Sequence, residues 1–182
     1  MLDVITLGRV RKLEKRVATL DPAASHAIYG ASWNKGESPV LTRINSAVGM
    51  VAGVGIDGAV TQNDFDSAPI WGEFTQVIDA LGNVFIRIPK FYIRKTDGAA
   101  YKTWQVSRWK HPGFYLPWCF WDFTNSKELP YVDVGKHKAS LGAGNKLESK
   151  PNVYPLVSKN IVQVRGYAQA NGQGYQQMDI HV

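Results

Sequence analysis

The residues able to do chemistry in this 182-residue chain are one cysteine, four histidines, fifteen carboxylates and a dense run of aromatic rings. Nucleophilic or metal chemistry needs such groups brought together. Cys119 lies inside the apolar run WCFW, which suits a buried thiol better than an activated thiolate, and a lone cysteine makes neither an internal disulfide nor a cysteine zinc site. His26, His111, His137 and His181 stand far apart, with none of the spacings that put two imidazoles on one metal. No phosphate-binding loop, dinucleotide fingerprint, GxSxG elbow or HExxH helix occurs. Glycoside hydrolysis needs two carboxylates facing one bond, and the pairs near enough in sequence to nominate are Asp122 with Glu128 and Asp64 with Asp66. Asp57, Gly58 and the stretch Gln62 to Asp66 gather several oxygens, as a calcium loop does, but without EF-hand spacing; Asn and Asp serve turns and helix caps equally well. On these patterns no catalytic residue, no metal ligand and no cofactor is assigned, and the chain reads as non-enzymatic.

The aromatic run is the denser signal. Nine aromatic residues fall between Tyr101 and Phe123, and four of the six tryptophans are among them. Aromatic faces stack on sugar rings and cations, and their polar tips suit protein interfaces, so Trp104, Trp109, Tyr115, Trp118 and Trp121 are the candidate ligand-contact residues. Trp109, flanked by Arg108 and Lys110, is expected to be the most exposed. In a stand-alone carbohydrate-binding module Trp104, Trp109 and Trp118 would be the stacking platforms. The competing role is the core, because in a fold of short strands a few large rings supply most of the buried apolar area.

The elements that must position these rings follow from periodicity. Val10, Leu13, Val17 and Leu20 are spaced three, four and three apart, the alternation of a short coiled coil, and predict a helix over residues 4–20 stopped by Asp21 and Pro22. That ridge is either an oligomerisation seam or the apolar face of a helix packed on its own domain. Residues 23–72, rich in Gly, Ala, Ser, Asn and Asp, read as loops and short strands, a loop-rich linker or attachment region. Residues 73–182 read as a β-rich domain. Phe74 to Asp79 and Val84 to Ile88 flank Leu81, Gly82 and Asn83, a hairpin signal. Pro89 implies an edge strand or bulge before Lys90 to Lys95 resumes. Further strands are expected at Thr103 to Ser107, Gly113 to Leu116 and Tyr131 to Lys138. A late helix is expected from an N-cap at Ser158 to Asn171, with Ile161, Val164 and Ala168 on one face. Tyr175, Met178, Ile180 and Val182 then open an apolar pattern that needs further chain or a neighbouring subunit to cover it. The fold class expected is α+β: a short N-terminal coiled-coil helix, then a β-rich body with one late helix.

The net charge of +6 is divided into blocks. Residues 1–20 hold Arg9, Arg11, Lys12, Lys15 and Arg16 against Asp3 and Glu14; residues 53–83 hold five acids and no base; residues 84–110 hold seven bases against Asp97. Alternating blocks suit pairing within one fold or between copies better than a continuous phosphate-binding groove, so no nucleic acid partner is expected. The longest apolar stretch, Ala47 to Ile56, is broken by glycine and far below the ~20 residues that span a bilayer, so no membrane insertion is expected.

Several segments together resemble the tail-fibre and tail-tip receptor-binding proteins of phages and prophages of Gram-positive bacteria: IRIPKFYIRK (Ile86 to Lys95), HPGFYLPWCFWDF (His111 to Phe123), YVDVGKHKAS (Tyr131 to Ser140), NKLESKPNVYPL (Asn145 to Leu156) and VRGYAQANGQGYQQMDIHV (Val164 to Val182). The resemblance spans residues 30–182 and lies in the order and spacing of the segments. It implies a partly C-type-lectin-like body, incomplete at its C-terminus because members of that group continue past the position of Val182. It also implies a structural, adhesive role in the virion: a homotrimer on the phage tail, attached to other tail or baseplate proteins, that contacts a host envelope glycan or protein. No catalytic residue comes with the resemblance.

Overall fold

The computed structural model describes residues 26–37, 40–53, 61 and 63–177. These form two compact units, each drawn from two stretches of chain: the first contains 26–69 and Phe91–Tyr115, the second Ile70–Lys90 and the chain from Leu116 onward.

The first unit is a four-stranded antiparallel sheet. Its strands are β1 (Ile28–Asn34), β2 (Leu41–Asn45), β5 (Tyr92–Asp97) and β6 (Tyr101–Ser107), in the order β2-β1-β6-β5. Residues 23–72, read as loops and short strands, thus supply half of this sheet. β1 contains Gly30, Ala31 and Ser32, poor strand formers that are held extended by neighbours on both sides. Gly30 is required there. A Cβ at this position would stand 2.9 Å from Gln105 Cγ, 2.9 Å from Ile44 Cγ1 and 3.0 Å from the Trp104 carbonyl. The stem of buried Gln105 packs against that space, and its amide accepts from Arg94 Nε at 2.8 Å and donates to Asn45 Oδ1 at 2.7 Å. Both ends of the amide are therefore satisfied, as burial demands. Ser107, fully buried, donates to the Ala27 carbonyl at 2.9 Å and accepts from the Trp109 N–H at 3.2 Å.

The second unit is built on a three-stranded antiparallel sheet of β3 (Thr75–Ile78), β4 (Val84–Pro89) and β9 (Tyr131–Gly135), in the order β3-β4-β9. Two short hairpins accompany it: β7 (Trp121–Asp122) with β8 (Lys127–Glu128), and β10 (Ser140–Leu141) with β11 (Leu147–Glu148). The β3–β4 hairpin forms where the sequence places it. Gly82 takes φ of +78°, and Asp79 closes the turn by accepting the Leu81 and Asn83 N–H groups, each at 2.8 Å. Pro89 ends β4 instead of interrupting a longer strand, so Tyr92 begins a strand of the other unit. Of the other expected strands, Thr103 to Ser107 and Tyr131 to Gly135 form, whereas Gly113 to Leu116 contributes only a bridge between Tyr115 and Ile93.

The α+β expectation needs correction. Among the described residues the only α-helix is α1 (Ile161–Gln169), and the rest is β-strand, short 3-10 turn and loop, so the chain is a small β-rich protein. The coiled-coil helix, with Val10, Leu13, Val17 and Leu20, falls outside the described residues. Helix α1 starts later than expected. Ser158 sits at φ of +57°, and Asn160 caps the helix instead: its Oδ1 accepts the Gln163 N–H at 2.9 Å while Gln163 Oε1 accepts the Asn160 N–H at 3.1 Å. Of the expected apolar face, Ala168 is buried, Val164 half-buried and Ile161 exposed, so the helix covers its unit with its C-terminal turn.

Candidate aromatic groove

The five candidate contact residues divide between the units. In the first unit Trp104 is half-buried on β6, with Lys102 Nζ 5.7 Å from its ring. Trp109, expected to be the most exposed, is half-buried with the His26 ring 6.3 Å away. Tyr115 is exposed, its backbone exchanging two 2.9 Å hydrogen bonds with Ile93. In the second unit the structure brings Trp118 and Trp121 together.

Local geometry explains that pairing. Pro117 leads into a 3-10 turn over Trp118–Phe120, whose tight rotation sends successive side chains in different directions. Phe120 points inward and is completely buried, while Trp118 remains 62% exposed. The strand β7 that follows carries Trp121, and the chain leaves it through Phe123, 69% exposed, whose ring meets Trp118 edge to face at 6.4 Å and 83°. Trp118, Trp121 and Phe123 with Leu116 wall a shallow cavity of about 300 Å³, and the same three rings, with Cys119 and Leu129, line a larger groove of about 490 Å³. The rest of its lining is polar: Asp122, Thr124 and Asn125 from the β7–β8 turn, and Gln173, Gly174 and Gln176 from the chain after α1.

Each polar wall is held by its own hydrogen bonds. Asp122 Oδ1 accepts the N–H groups of Thr124 at 3.0 Å and Asn125 at 3.1 Å, and Oδ2 accepts from Asn125 Nδ2 at 2.7 Å. The bonds from Asn125 are the main reason its carboxyl sits below the usual carboxylate range. The second wall is tied down by Tyr175, between Gly174 and Gln176, whose hydroxyl donates to Asp79 Oδ2 at 2.6 Å. That bond, joined by burial, pushes the Tyr175 phenol up to about 12. Burial alone would raise the Asp79 carboxyl, but the bonds from Tyr175, Asn83 and Leu81 outweigh it and hold it low. Asp79 leads inward to a buried network: Asn83 Nδ2 donates to Asp79 Oδ2 at 3.0 Å, Asn83 Oδ1 accepts the Ser149 N–H at 3.0 Å, and the Ser149 hydroxyl donates to the Val84 carbonyl at 2.7 Å.

The groups nominated for chemistry are otherwise engaged. A general acid needs a raised carboxyl, whereas Asp122 is depressed by its turn, and Glu128 accepts from Lys90 at 2.7 Å. Asp64 Oδ2 accepts the Val51 N–H at 2.7 Å, and Asp66 accepts from Asn63 Nδ2 at 2.8 Å, which is turn and cap chemistry. Among the described residues no three His, Cys, Asp or Glu side chains cluster as metal ligands. His26 and His111 have ring centroids 6.3 Å apart, His111 Nε2 lies 3.1 Å from Ser107 Oγ, and His181 is outside the described residues. Cys119 is half-buried beside Trp118 on the groove, not deep in a core.

Phe123, Thr124, Leu129, Gly174 and the amides Asn125, Gln173 and Gln176 are groove residues that sequence reasoning did not select. The alternation in WCFWDF was a usable signal for Phe123, since one buried ring among them leaves its neighbours facing out. Nothing local marks the two glutamines, which reach the groove only through the Tyr175 anchor. No family of known proteins, no curated protein and no solved structure matches the chain.

Proposed function

We propose that this chain is a non-catalytic recognition subunit, a tail-fibre or receptor-binding part of a phage virion that associates with copies of itself and contacts the host envelope. The observation that carries the reading is the water-exposed pair Trp118 and Phe123 in a groove whose remaining lining is largely polar. Burying a side chain of that size is worth roughly 1.5–3 kcal/mol, so two such rings left in water by a chain that buries Phe120 beside them have the character of a contact surface. Self-association is supported by a stretch of exposed apolar side chains, Tyr154, Val157, Ile161 and Val162, and the homotrimer on a phage tail by the resemblance of the segments from Ile86 onward.

The test is adhesion. Labelled protein should sediment with isolated Gram-positive cell walls, and Trp118→Ala or Phe123→Ala should abolish sedimentation while the circular dichroism spectrum stays unchanged. Adhesion that survives both substitutions refutes the reading. Light scattering is expected to give three times the 20.2 kDa chain mass. A stable monomer that still adheres would instead support the stand-alone carbohydrate-binding module, which the same groove serves.

A further inference from the structure

We infer that the Trp118 groove selects an uncharged glycan, a chain of hexose or N-acetylhexosamine units, over the phosphate-bearing polymers of the same envelope; this rests on the recognition reading above and names its ligand class. Although the chain carries a net charge of +6, the described residues lining the groove include no lysine, arginine or histidine. Phosphate is ordinarily bound by guanidinium or ammonium groups or by clustered backbone N–H donors. Here the one ionised lining group is Asp122, and its carboxylate consumes the nearby Thr124 and Asn125 N–H groups. An anionic polymer in the groove would lie against a like charge, and the nearby cation, Lys127, faces Asp122 across the β7–β8 hairpin without lining the groove.

The remaining lining suits neutral sugars. Among the described residues the side-chain amides of Gln173 and Gln176 have no hydrogen-bond partner, so both a donor and an acceptor are available on each. Asn125 commits its NH2 group to Asp122 and keeps a carbonyl for a sugar hydroxyl. In the same lining, Trp118 and Phe123 offer apolar surfaces to the C–H faces of a pyranose or the methyl of an acetamido group. The volume of about 490 Å³ falls within the ~300–1,000 Å³ typical of ligand clefts, enough for a short oligosaccharide.

The experiment titrates the full chain by calorimetry with N-acetylglucosamine oligomers, neutral hexose oligomers and poly(glycerol phosphate), each at low and high salt. The expected result is binding of a neutral oligomer that is insensitive to salt and weakened about 30-fold by Trp118→Ala, the factor that ~2 kcal/mol for losing a tryptophan anchor corresponds to. Gln176→Ala should weaken it by a smaller factor. Tighter, salt-dependent binding of poly(glycerol phosphate) that Trp118→Ala removes overturns the ligand class and leaves the recognition reading standing. Neutral-glycan binding indifferent to Trp118→Ala and Gln176→Ala overturns the groove as the site. No heat with any polymer, together with no adhesion to cell walls, overturns both.

Discussion

Replacing Tyr175 by phenylalanine removes one hydroxyl from a carboxylate and should loosen a wall of the groove. A hydrogen bond to a charged group contributes about 1.5–3 kcal/mol, and the lower end applies because Asp79 keeps three other bonds, from Leu81 N, Asn83 N and Asn83 Nδ2, and Tyr175 is partly open to water. At about 2–4 °C per kcal/mol for a chain of this length, the midpoint of thermal unfolding should fall by about 3–6 °C at neutral pH. The pH dependence carries the mechanism. Asp79 is depressed in the folded state, so its contribution is complete above the unfolded value of 3.8 and is lost as pH falls through the lower folded value. Tyr175 is raised from 10.0 to about 12, so its contribution is complete below 10.0 and is lost as pH rises towards 12. The gap between wild type and Y175F should therefore be constant across neutral pH and shrink at both extremes. Scanning calorimetry across that range is the assay, with glycan affinity as a second readout because Gly174 and Gln176 flank the substitution. An unchanged unfolding midpoint at neutral pH, or a gap that persists unaltered at both extremes, would refute the reasoning.

Gly30→Ala should destabilise by about 1–3 kcal/mol in a urea titration, since its Cβ would press on the Gln105 and Ile44 side chains and on the Trp104 carbonyl. Gly166→Ala is the opposite case: it lies inside α1 with nothing within 4 Å of the added Cβ, and the same titration should show a gain of about 0.4–1 kcal/mol. Asn160→Ala should cost about 1 kcal/mol by leaving the first turn of α1 uncapped, measured as a lower urea midpoint with unchanged slope.

What was legible in the sequence was local. The β3–β4 hairpin could be read because the residues that turn the chain, Asp79, Gly82 and Asn83, are adjacent to the strands they join. Helix α1 could be read for the same reason, with an error of two residues at its start because Ser158 and Asn160 are both good caps and only the backbone conformation chooses between them. The sheet of the first unit could not. β1 pairs with β6 in a register that joins Ile28 to Ser107 and Asn34 to Tyr101, and no periodicity in Gly-Ala-Ser announces a partner so far along the chain. The groove was half legible: Trp118 and Trp121 stood out by composition, whereas the flanking bases made Trp109 look exposed when its ring packs near His26. The glutamine wall depends on a tyrosine and an aspartate, Tyr175 and Asp79, that meet only after folding.

The interleaving of the two units has a bearing on how such a protein changes over time. The chain passes from one unit to the other after Pro69, after Lys90 and after Tyr115, so neither unit is a single run of sequence. A single cut after Tyr115 would exchange every residue of the Trp118 groove and spare the four-stranded sheet, but it would leave β3 and β4 of the second unit to pair with a foreign β9. An exchanged groove therefore has to bring an edge that still fits β4, whereas point changes at the groove's rim, at Phe123, Asn125, Gln173 or Gln176, carry no such condition.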